Sequence, residues 1–190
     1  MHLIMKKKHL IIFVTLTILA GSFLSPSFFI LPAISSESDT FTTSVDAKHP
    51  ERTIIHLYFA NKENSFLIAE KRLLVQPDDP AQMGKLIIES LIKGPKEGLM
   101  RTISSNATLK ALFVTKDKTA YVDLTKAARD NHPGGCKLEI ITIYSIVNSL
   151  VLNIPEIDAV KILIDGRESM TLAGHVDLRF PLKADMLLVR

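Results

Sequence analysis

The stretch from Pro80 to Leu99, PAQMGKLIIESLIKGPKEGL, constrains the fold more than any other part of the chain. Asp79 is a good N-cap, the proline after it suits the first helical position, and Gln82 has capping-box spacing. The apolar side chains that follow form one helical stripe: Met83, Leu86, Ile87 and Leu91. Gly94 can adopt the left-handed conformation of a helix end, and Pro95 cannot continue a helix. The sequence therefore predicts an amphipathic helix with a sharp architectural stop.

Residues 1–34 have the pattern of an export signal. Lys6–Lys8 precede an apolar run that begins at Leu10, and such a basic flank directs the rest of the chain outward. The run approaches the roughly 20 residues that span a bilayer, but Pro26 and Pro32 interrupt it. No cysteine follows closely enough for a lipoprotein anchor. We expect either a retained membrane anchor, with the domain on the outer face of the bacterial inner membrane, or a cleaved signal peptide and a periplasmic or secreted domain.

The rest of the chain divides into a tether and one domain. Residues 35–52 are polar, rich in Ser and Thr and without an apolar period, so they predict a flexible tether. Residues 53–182 have a normal size for a single domain, which leaves 183–190 as a C-terminal tail. Because the leader holds three lysines and no acid, basic and acidic residues are equal in number outside it. A neutral domain without a basic run gives no electrostatic reason to expect nucleic acid.

The domain sequence predicts strands and a second helix. Alternating or β-rich runs bounded by polar turns indicate strands at Thr53–Phe59, Phe66–Val75, Leu109–Thr115, Thr119–Leu124, Ala159–Ile164 and Ser169–Leu172. Asp165-Gly166 is a hairpin signal before the last of these. Helical spacing runs from about Lys137 to Leu152, although many β-branched residues keep a strand open as an alternative. The order ββαββαββ predicts an α+β two-layer sandwich, a mostly antiparallel sheet with two helices on one face.

The segment DNHPGGC, residues 130–136, is the most reactive-looking local cluster. Cys136 would lie at the start of the second helix, where a thiol can have a lowered pKa, and His132 is close in sequence. The Gly134-Gly135 pair could offer backbone amides to an anion at that helix end. The plainer interpretation is a glycine loop with a lone cysteine that acts as a small apolar residue. We expect the plainer one.

Two further sets of side chains have chemistry that suits a site. The possible metal ligands are His56, His132, His175 and Asp177, but a zinc site needs three or four converging groups. The possible acid–base pair would come from Asp123, Asp165 and Asp177. All three carboxylates are at predicted strand ends or turns, where aspartate caps backbone amides. We therefore expect structural roles, with no catalytic residue, no metal and no cofactor.

Five motifs in order resemble the GerMN domain of GerM-type sporulation and spore germination proteins. They are Ile55–Phe59 followed by Leu67, Leu91-Ile92-Lys93-Gly94-Pro95 followed by Gly98-Leu99, Ile103–Leu109, Tyr121–Thr125, and Ile164-Asp165-Gly166. Together they cover about Ile55 to Leu182. The third motif departs from the family pattern, with Ser104 where proline is usual and Ala107 where glycine is usual.

The resemblance implies a role that composition alone does not give. Relatives are extracytoplasmic, are not known as enzymes, and help to assemble envelope structures during spore formation and germination. Their fold is similar to the ring-building motifs of envelope secretion machines. For this chain it implies an interaction domain whose partners are envelope proteins or further copies of itself, with the membrane reached through the N-terminal segment. The expected contact face is the polar side of the first helix, at Lys85, Glu89 and Lys93.

Two alternatives remain open from the residues. A cell-wall-binding module would need an aromatic-lined groove, and the chain has no Trp and three Tyr. A thiol-dependent enzyme would be centred on Cys136.

Overall fold

The computed structural model describes residues 51–190. The predicted leader and nearly all of the predicted tether lie outside these residues. The chain divides into two units after Val45, and the described residues belong to the second. Its elements are β1 (Arg52–Ala60), β2 (Leu67–Val75), α1 (Pro80–Lys93), β3 (Leu109–Val114), β4 (Thr119–Leu124), α2 (Ala127–Asp130), α3 (Cys136–Val151), β5 (Ala159–Ile164), β6 (Arg167–Glu168) and a 3-10 turn at Met186–Leu188. Within residues 51–190, no helix has both the length and the apolar character needed to cross a bilayer.

The α+β class is confirmed, and the strands divide between two sheets. Strands β1 and β2 form an antiparallel pair by themselves, and the other sheet has the order β3-β4-β5-β6. In that sheet β4 and β5 run parallel, while the other neighbours are antiparallel. Parallel neighbours need a long crossover, and the segment that contains α3 provides it. The sheets are therefore mostly antiparallel, as predicted, with one parallel pair.

The core lies between the two long helices and the inner faces of the strands. The odd-numbered positions of β1 are buried at Ile55, Leu57 and Phe59, where they pack with α1 and α3 residues of the same cluster. Helix α1 also approaches β3 closely at Gly84, because a Cβ there would lie 2.9 Å from a methyl group of Leu112. Alanine has a helix propensity more favourable than that of glycine by about 1 kcal/mol, so the close approach of Leu112 explains why a glycine is found here.

Helix α1 begins and ends where the sequence predicts. Asp79 accepts a hydrogen bond from the Ala81 N–H at 2.9 Å. At the other end Gly94 has φ = 92°, in the region that favours glycine. The guanidinium of Arg101 donates to the carbonyl oxygens of Ile92 and Lys93, which satisfies acceptors that a helix end leaves free.

Helix α3 is a helix rather than the alternative strand, and it closes one edge of β1. Ser149 Oγ accepts from the Tyr58 N–H at 3.0 Å, and Ser145 Oγ donates to the Tyr58 carbonyl at 2.6 Å. Asn153 exchanges two hydrogen bonds with the His56 backbone, at 2.8 and 2.7 Å. These side chains occupy the polar groups that a neighbouring strand would use, which explains why β1–β2 is a separate sheet.

The prediction of a strand at Ser169–Leu172 is wrong. The chain turns after β5 as predicted, but the returning strand β6 has only the two residues Arg167–Glu168. The carboxylate of Glu139 on α3 accepts hydrogen bonds from the N–H groups of Leu172 and Ala173 at 3.0 and 2.8 Å. These N–H groups are then not available to a strand ladder, so the segment continues as a loop.

The last eight residues, expected to be a tail, pack on the domain. Asn148 on α3 exchanges two hydrogen bonds of 2.9 Å with the Asp185 backbone. Farther along, the Arg190 N–H donates to the Leu67 carbonyl at 3.0 Å. Leu188 and Val189 cover a small buried cluster of Tyr58, Ala60, Leu67 and Ile141. The C-terminus thereby joins β1–β2 to α3.

Candidate interaction site

The three residues of the predicted contact face lie together on α1. Lys85, Glu89 and Lys93 are exposed and are spaced four residues apart, so they form one row along the solvent side of the helix. The ion pairs found within residues 51–190 involve none of them. This row is determined by the buried stripe on the opposite side of the helix, which is why the sequence could locate it.

A shallow cavity of about 270 Å³ adjoins one end of this row. Glu89, Ile92 and Lys93 line it from α1, and residues 107–109 line it from the entry to β3. Opposite charges thus flank an apolar patch at the helix end. An aliphatic side chain between two polar groups could be held there. We call Lys85, Glu89, Lys93 and this cavity the α1 face.

The buried carboxylate of Glu70 holds the loop that follows the α1 face. It accepts from the backbone N–H groups of Lys96 and Glu97 at 2.8 and 3.1 Å, and it pairs with Arg72. Burial raises the pKa of the Glu70 carboxyl, but these hydrogen bonds and the Arg72 charge lower the pKa by a larger amount, so the net change is downward. The sequence did not indicate this role for Glu70. Its role depends on loop residues distant in sequence, and no local pattern reveals them.

A second buried carboxylate, Glu139, organises the loop at 171–176. Besides the two N–H groups described above, it accepts from the His175 N–H at 2.8 Å and contacts the His175 ring nitrogen Nδ1 at 3.0 Å. Burial raises the pKa of the Glu139 carboxyl, whereas hydrogen bonds from Ala173, His175 and Val176 lower it by more. Sequence reasoning missed Glu139, because a glutamate in the first turn of a helix gives no sign of burial.

A polar cleft of about 260 Å³ lies beside the DNHPGGC segment. His132 lines it, and both ring nitrogens of this residue are engaged. Nδ1 accepts from the Gly134 N–H at 3.0 Å, and Nε2 lies 3.1 Å from Thr142 Oγ1. Thr142 in turn donates to the Thr102 carbonyl at 2.8 Å. Burial lowers the pKa of His132, so the neutral ring bridges this loop to α3.

Cys136 is exposed at the first position of α3. The glycines before it have φ = 82° and 86°, a conformation that a side chain disfavours. A Cβ on either glycine would meet nothing within 4 Å, so backbone conformation rather than crowding explains them. The nearby His132 already uses both nitrogens, so it has no free nitrogen to act as a base for the thiol.

The side chains considered as possible metal ligands do not form a ligand cluster. Within residues 51–190, no group of three or more His, Cys, Asp or Glu side chains could hold a metal ion. The His56 backbone is paired with Asn153, and His132 and His175 bind Thr142 and Glu139.

Each of the three aspartates considered as possible acid–base groups has its own structural partner. Asp123 accepts from the Gly166 N–H at 2.7 Å, which fixes the turn between β5 and β6. Asp165 pairs with Lys110 at 3.1 Å. Hydrogen bonds from Arg179 lower the pKa of Asp177 to about 2.

Comparisons with known proteins identify the class of domain. A family model described as "Germane: Sporulation and spore germination" matches residues 56–169. The first GerMN domain of the Bacillus subtilis sporulation protein GerM has a similar fold, with a TM-score of 0.57 at 19% identity over 69% of this chain and 97% of that one. The tandem GerMN domains of the same protein give 0.55 at 19% identity over 71% of this chain, which spans only 46% of their length.

A Clostridium perfringens protein described as a candidate lipoprotein is also similar, with a TM-score of 0.51 at 22% identity over 70% of this chain and 87% of that one. A comparison with curated protein sequences gives no match. At these identities the structural likeness shows the fold alone, while the family match rests on the sequence.

Proposed function

Because the chain belongs to the Germane family of sporulation and spore germination proteins, we propose that it is an exported, membrane-tethered interaction domain. It assembles with envelope proteins, or with further copies of itself, in spore formation or germination. It does so without catalysing a reaction. The N-terminal segment is the connection to the membrane, and the α1 face is the contact surface.

Export is supported by the leader pattern of residues 1–34 and by what the similar proteins are. One similar structure comes from a sporulation protein and another from a candidate lipoprotein. A lipoprotein is carried on a membrane, so a domain of this fold is compatible with a membrane-held position. Lysines before the apolar run are expected to keep the N-terminus in the cytosol and place the domain outside.

The observation that carries the interaction role is the row of Lys85, Glu89 and Lys93. The buried charged side chains of the described domain have partners, as Glu70 and Glu139 do. The three on α1 have no ion pair within residues 51–190, and they adjoin an apolar cavity. A partner with complementary charges around one aliphatic side chain would satisfy both features.

The test is photocrosslinking from the α1 face in intact cells. A crosslinking amino acid at position 89 of the full chain should trap specific envelope proteins or a second copy, whereas the same amino acid at the exposed position 156 should trap fewer. The exchange Lys85→Glu with Glu89→Lys keeps the net charge and should abolish the products seen from position 93.

A matched control exchanges charges on another surface. Glu156→Lys with Lys183→Glu also preserves net charge at exposed sites, and it should leave the crosslinks from position 93 intact. A chain that gives no specific product from either α1 position, or unchanged products after the α1 exchange, would overturn the proposed contact face.

The non-enzymatic part of the proposal is tested at Cys136. Cys136→Ser should retain the unfolding midpoint and the full sporulation or germination phenotype, because the thiol is exposed and both ring nitrogens of His132 are already engaged. A loss of phenotype in a stably folded Cys136→Ser chain would favour the thiol-dependent alternative.

A further inference from the structure

On the outer face of the β1–β2 hairpin, apolar and cationic side chains are grouped at the end where β1 begins and β2 ends. Cross-strand partners in the ladder point to the same side of the sheet, and the register pairs Arg52 with Val75, Ile54 with Leu73, and His56 with Lys71. Ile54 is 62% exposed, Leu73 58% and Val75 43%. We call these six residues the hairpin face.

The opposite side of the same hairpin is fully used by the core. Ile55, Leu57 and Phe59 are buried against residues of α1 and α3. The hairpin face therefore has no partner from this chain along its exposed end, within residues 51–190. Large aliphatic side chains grouped on an exposed sheet face are a feature of surfaces that bind something.

The charges on the hairpin face have one sign. Arg52 and Lys71 are exposed, no carboxylate is among the six residues, and the acids Glu51 and Asp78 lie beyond the strand ends. Neither cation is in an ion pair of the described residues. Aliphatic side chains flanked by lysine and arginine suit an anionic phospholipid surface, where apolar groups enter the acyl boundary and cations meet phosphates.

The position of this face along the chain favours the same occupant. The pair Arg52–Val75 is the first of the hairpin, so the face lies where the chain arrives from residues 1–50. Those residues carry the predicted anchor, and the predicted tether between the anchor and the hairpin face is short. A surface at this point is held at high effective concentration near the bilayer.

We propose that the hairpin face docks on an anionic phospholipid bilayer. Helix α1 packs on the inner side of the hairpin, so docking would turn the α1 face away from the lipid and towards envelope partners. The inference rests on the proposed membrane tethering, and it adds an orientation to it.

The experiment places a polarity-sensitive fluorophore next to the hairpin face in the full chain. Ala69 is exposed on the same side of β2, where its partner is Tyr58, so Ala69→Cys in a Cys136→Ser background gives a reporter that leaves the six residues intact. The chain is reconstituted with vesicles of phosphatidylcholine, with or without phosphatidylglycerol, and flotation measures its attachment separately.

We expect a blue shift at position 69 that increases with phosphatidylglycerol and is quenched by spin-labelled lipid, and no shift from a Lys85→Cys reporter. The pair Arg52→Glu with Lys71→Glu should lower the docked-to-free ratio by about tenfold or more, since each cation near an anionic surface contributes about fivefold. The matched pair Lys116→Glu with Lys183→Glu makes the same charge change at exposed positions outside both the hairpin face and the α1 face, and it should leave the ratio unchanged.

The outcomes separate the two proposals. A chain that floats while the reporter at position 69 remains in water overturns docking and leaves tethering intact. A chain that floats only with phosphatidylglycerol, and with a shifted reporter, is held by docking alone, which overturns tethering and supports docking; a chain that does not float at all overturns both. A shift that appears without vesicles and grows with protein concentration assigns the face to a second copy and also overturns lipid docking.

Discussion

At the scale of single residues, two buried glutamates hold loops that have no regular structure. Glu70 binds the backbone after α1, and Glu139 binds the backbone after β6. A carboxylate has no donor, so it can accept from several N–H groups at once, and hydrogen bonds to a charged acceptor are stronger than neutral ones. The loops are thereby positioned by side chains rather than by a ladder.

Glu139→Gln tests this arrangement with little change in volume. The amide replaces one accepting oxygen with a donor, so N–H groups of the 171–176 loop lose their partner. We expect a loss of about 2–3 kcal/mol in the free energy of unfolding, the cost of buried donors left unpaired, measured by urea denaturation at pH 7. Glu156→Gln, at an exposed position, is the control and should change it by less than about 0.5 kcal/mol.

The pH dependence of the stability difference between wild type and Glu139→Gln gives a second readout. The pKa of Glu139 is lowered from 4.5 in the folded chain, so its contribution is fully present above that value and is lost as the pH falls through the lowered folded pKa. The difference between wild type and Glu139→Gln should therefore shrink in acid. A difference that stays constant down to complete acid unfolding would contradict the charged role of this residue.

At the scale of elements, α3 substitutes for a strand along the edge of β1. Ser145 and Ser149 on α3, together with Asn153 just beyond its end, meet the backbone at Tyr58 and His56. Strand edges that stay unpaired expose donors and acceptors that other chains can use, and here the helix occupies them.

Ser149→Ala should destabilise the domain by about 1–2 kcal/mol, because the buried Tyr58 N–H loses its acceptor. Hydrogen exchange at the Tyr58 amide should accelerate more than at neighbouring β1 amides. Ser90→Ala is a matched control, since the Ser90 hydroxyl donates only within its own helix, to the Leu86 carbonyl. Equal losses from both variants would show that the edge contact has no special role.

The same elements show what the sequence can and cannot predict. Helix α1 and its exposed row at Lys85, Glu89 and Lys93 follow from a local period and local caps, so both were predictable and are found. The role of Glu139 was not predictable, because its partners lie more than thirty residues away. The strand prediction at Ser169–Leu172 failed for the same reason, because the Glu139 carboxylate accepts from N–H groups of that segment. The division into two sheets depends on α3 side chains that read from the sequence as ordinary polar positions.

At the scale of the whole molecule, the C-terminal residues join the two-stranded sheet to α3. Leu188 and Val189 pack on the cluster around Tyr58 and Leu67, and the backbone of Val189 forms a parallel bridge with Leu67. The bridge lies at Leu67, which is the first residue of β2. We therefore expect residues 183–190, predicted as a tail, to contribute to the stability of the domain, and the predicted boundary at 182 can be tested directly.

A chain that ends at Leu182 should lose about 2–4 kcal/mol of unfolding free energy, because it gives up the burial of two aliphatic side chains and their hydrogen bonds. It should also self-associate more, since the truncation uncovers both the small cluster and the end of the β2 edge. Urea denaturation and analytical ultracentrifugation measure the two effects. The neighbouring substitutions Leu187→Ala and Leu188→Ala separate packing from chain length: Leu187 is 84% exposed and should be nearly neutral, whereas Leu188 should cost about 1–2 kcal/mol. If the truncated chain is as stable and as monomeric as the full chain, the last eight residues are a tail after all, and the packing of Leu188 does not contribute to folding.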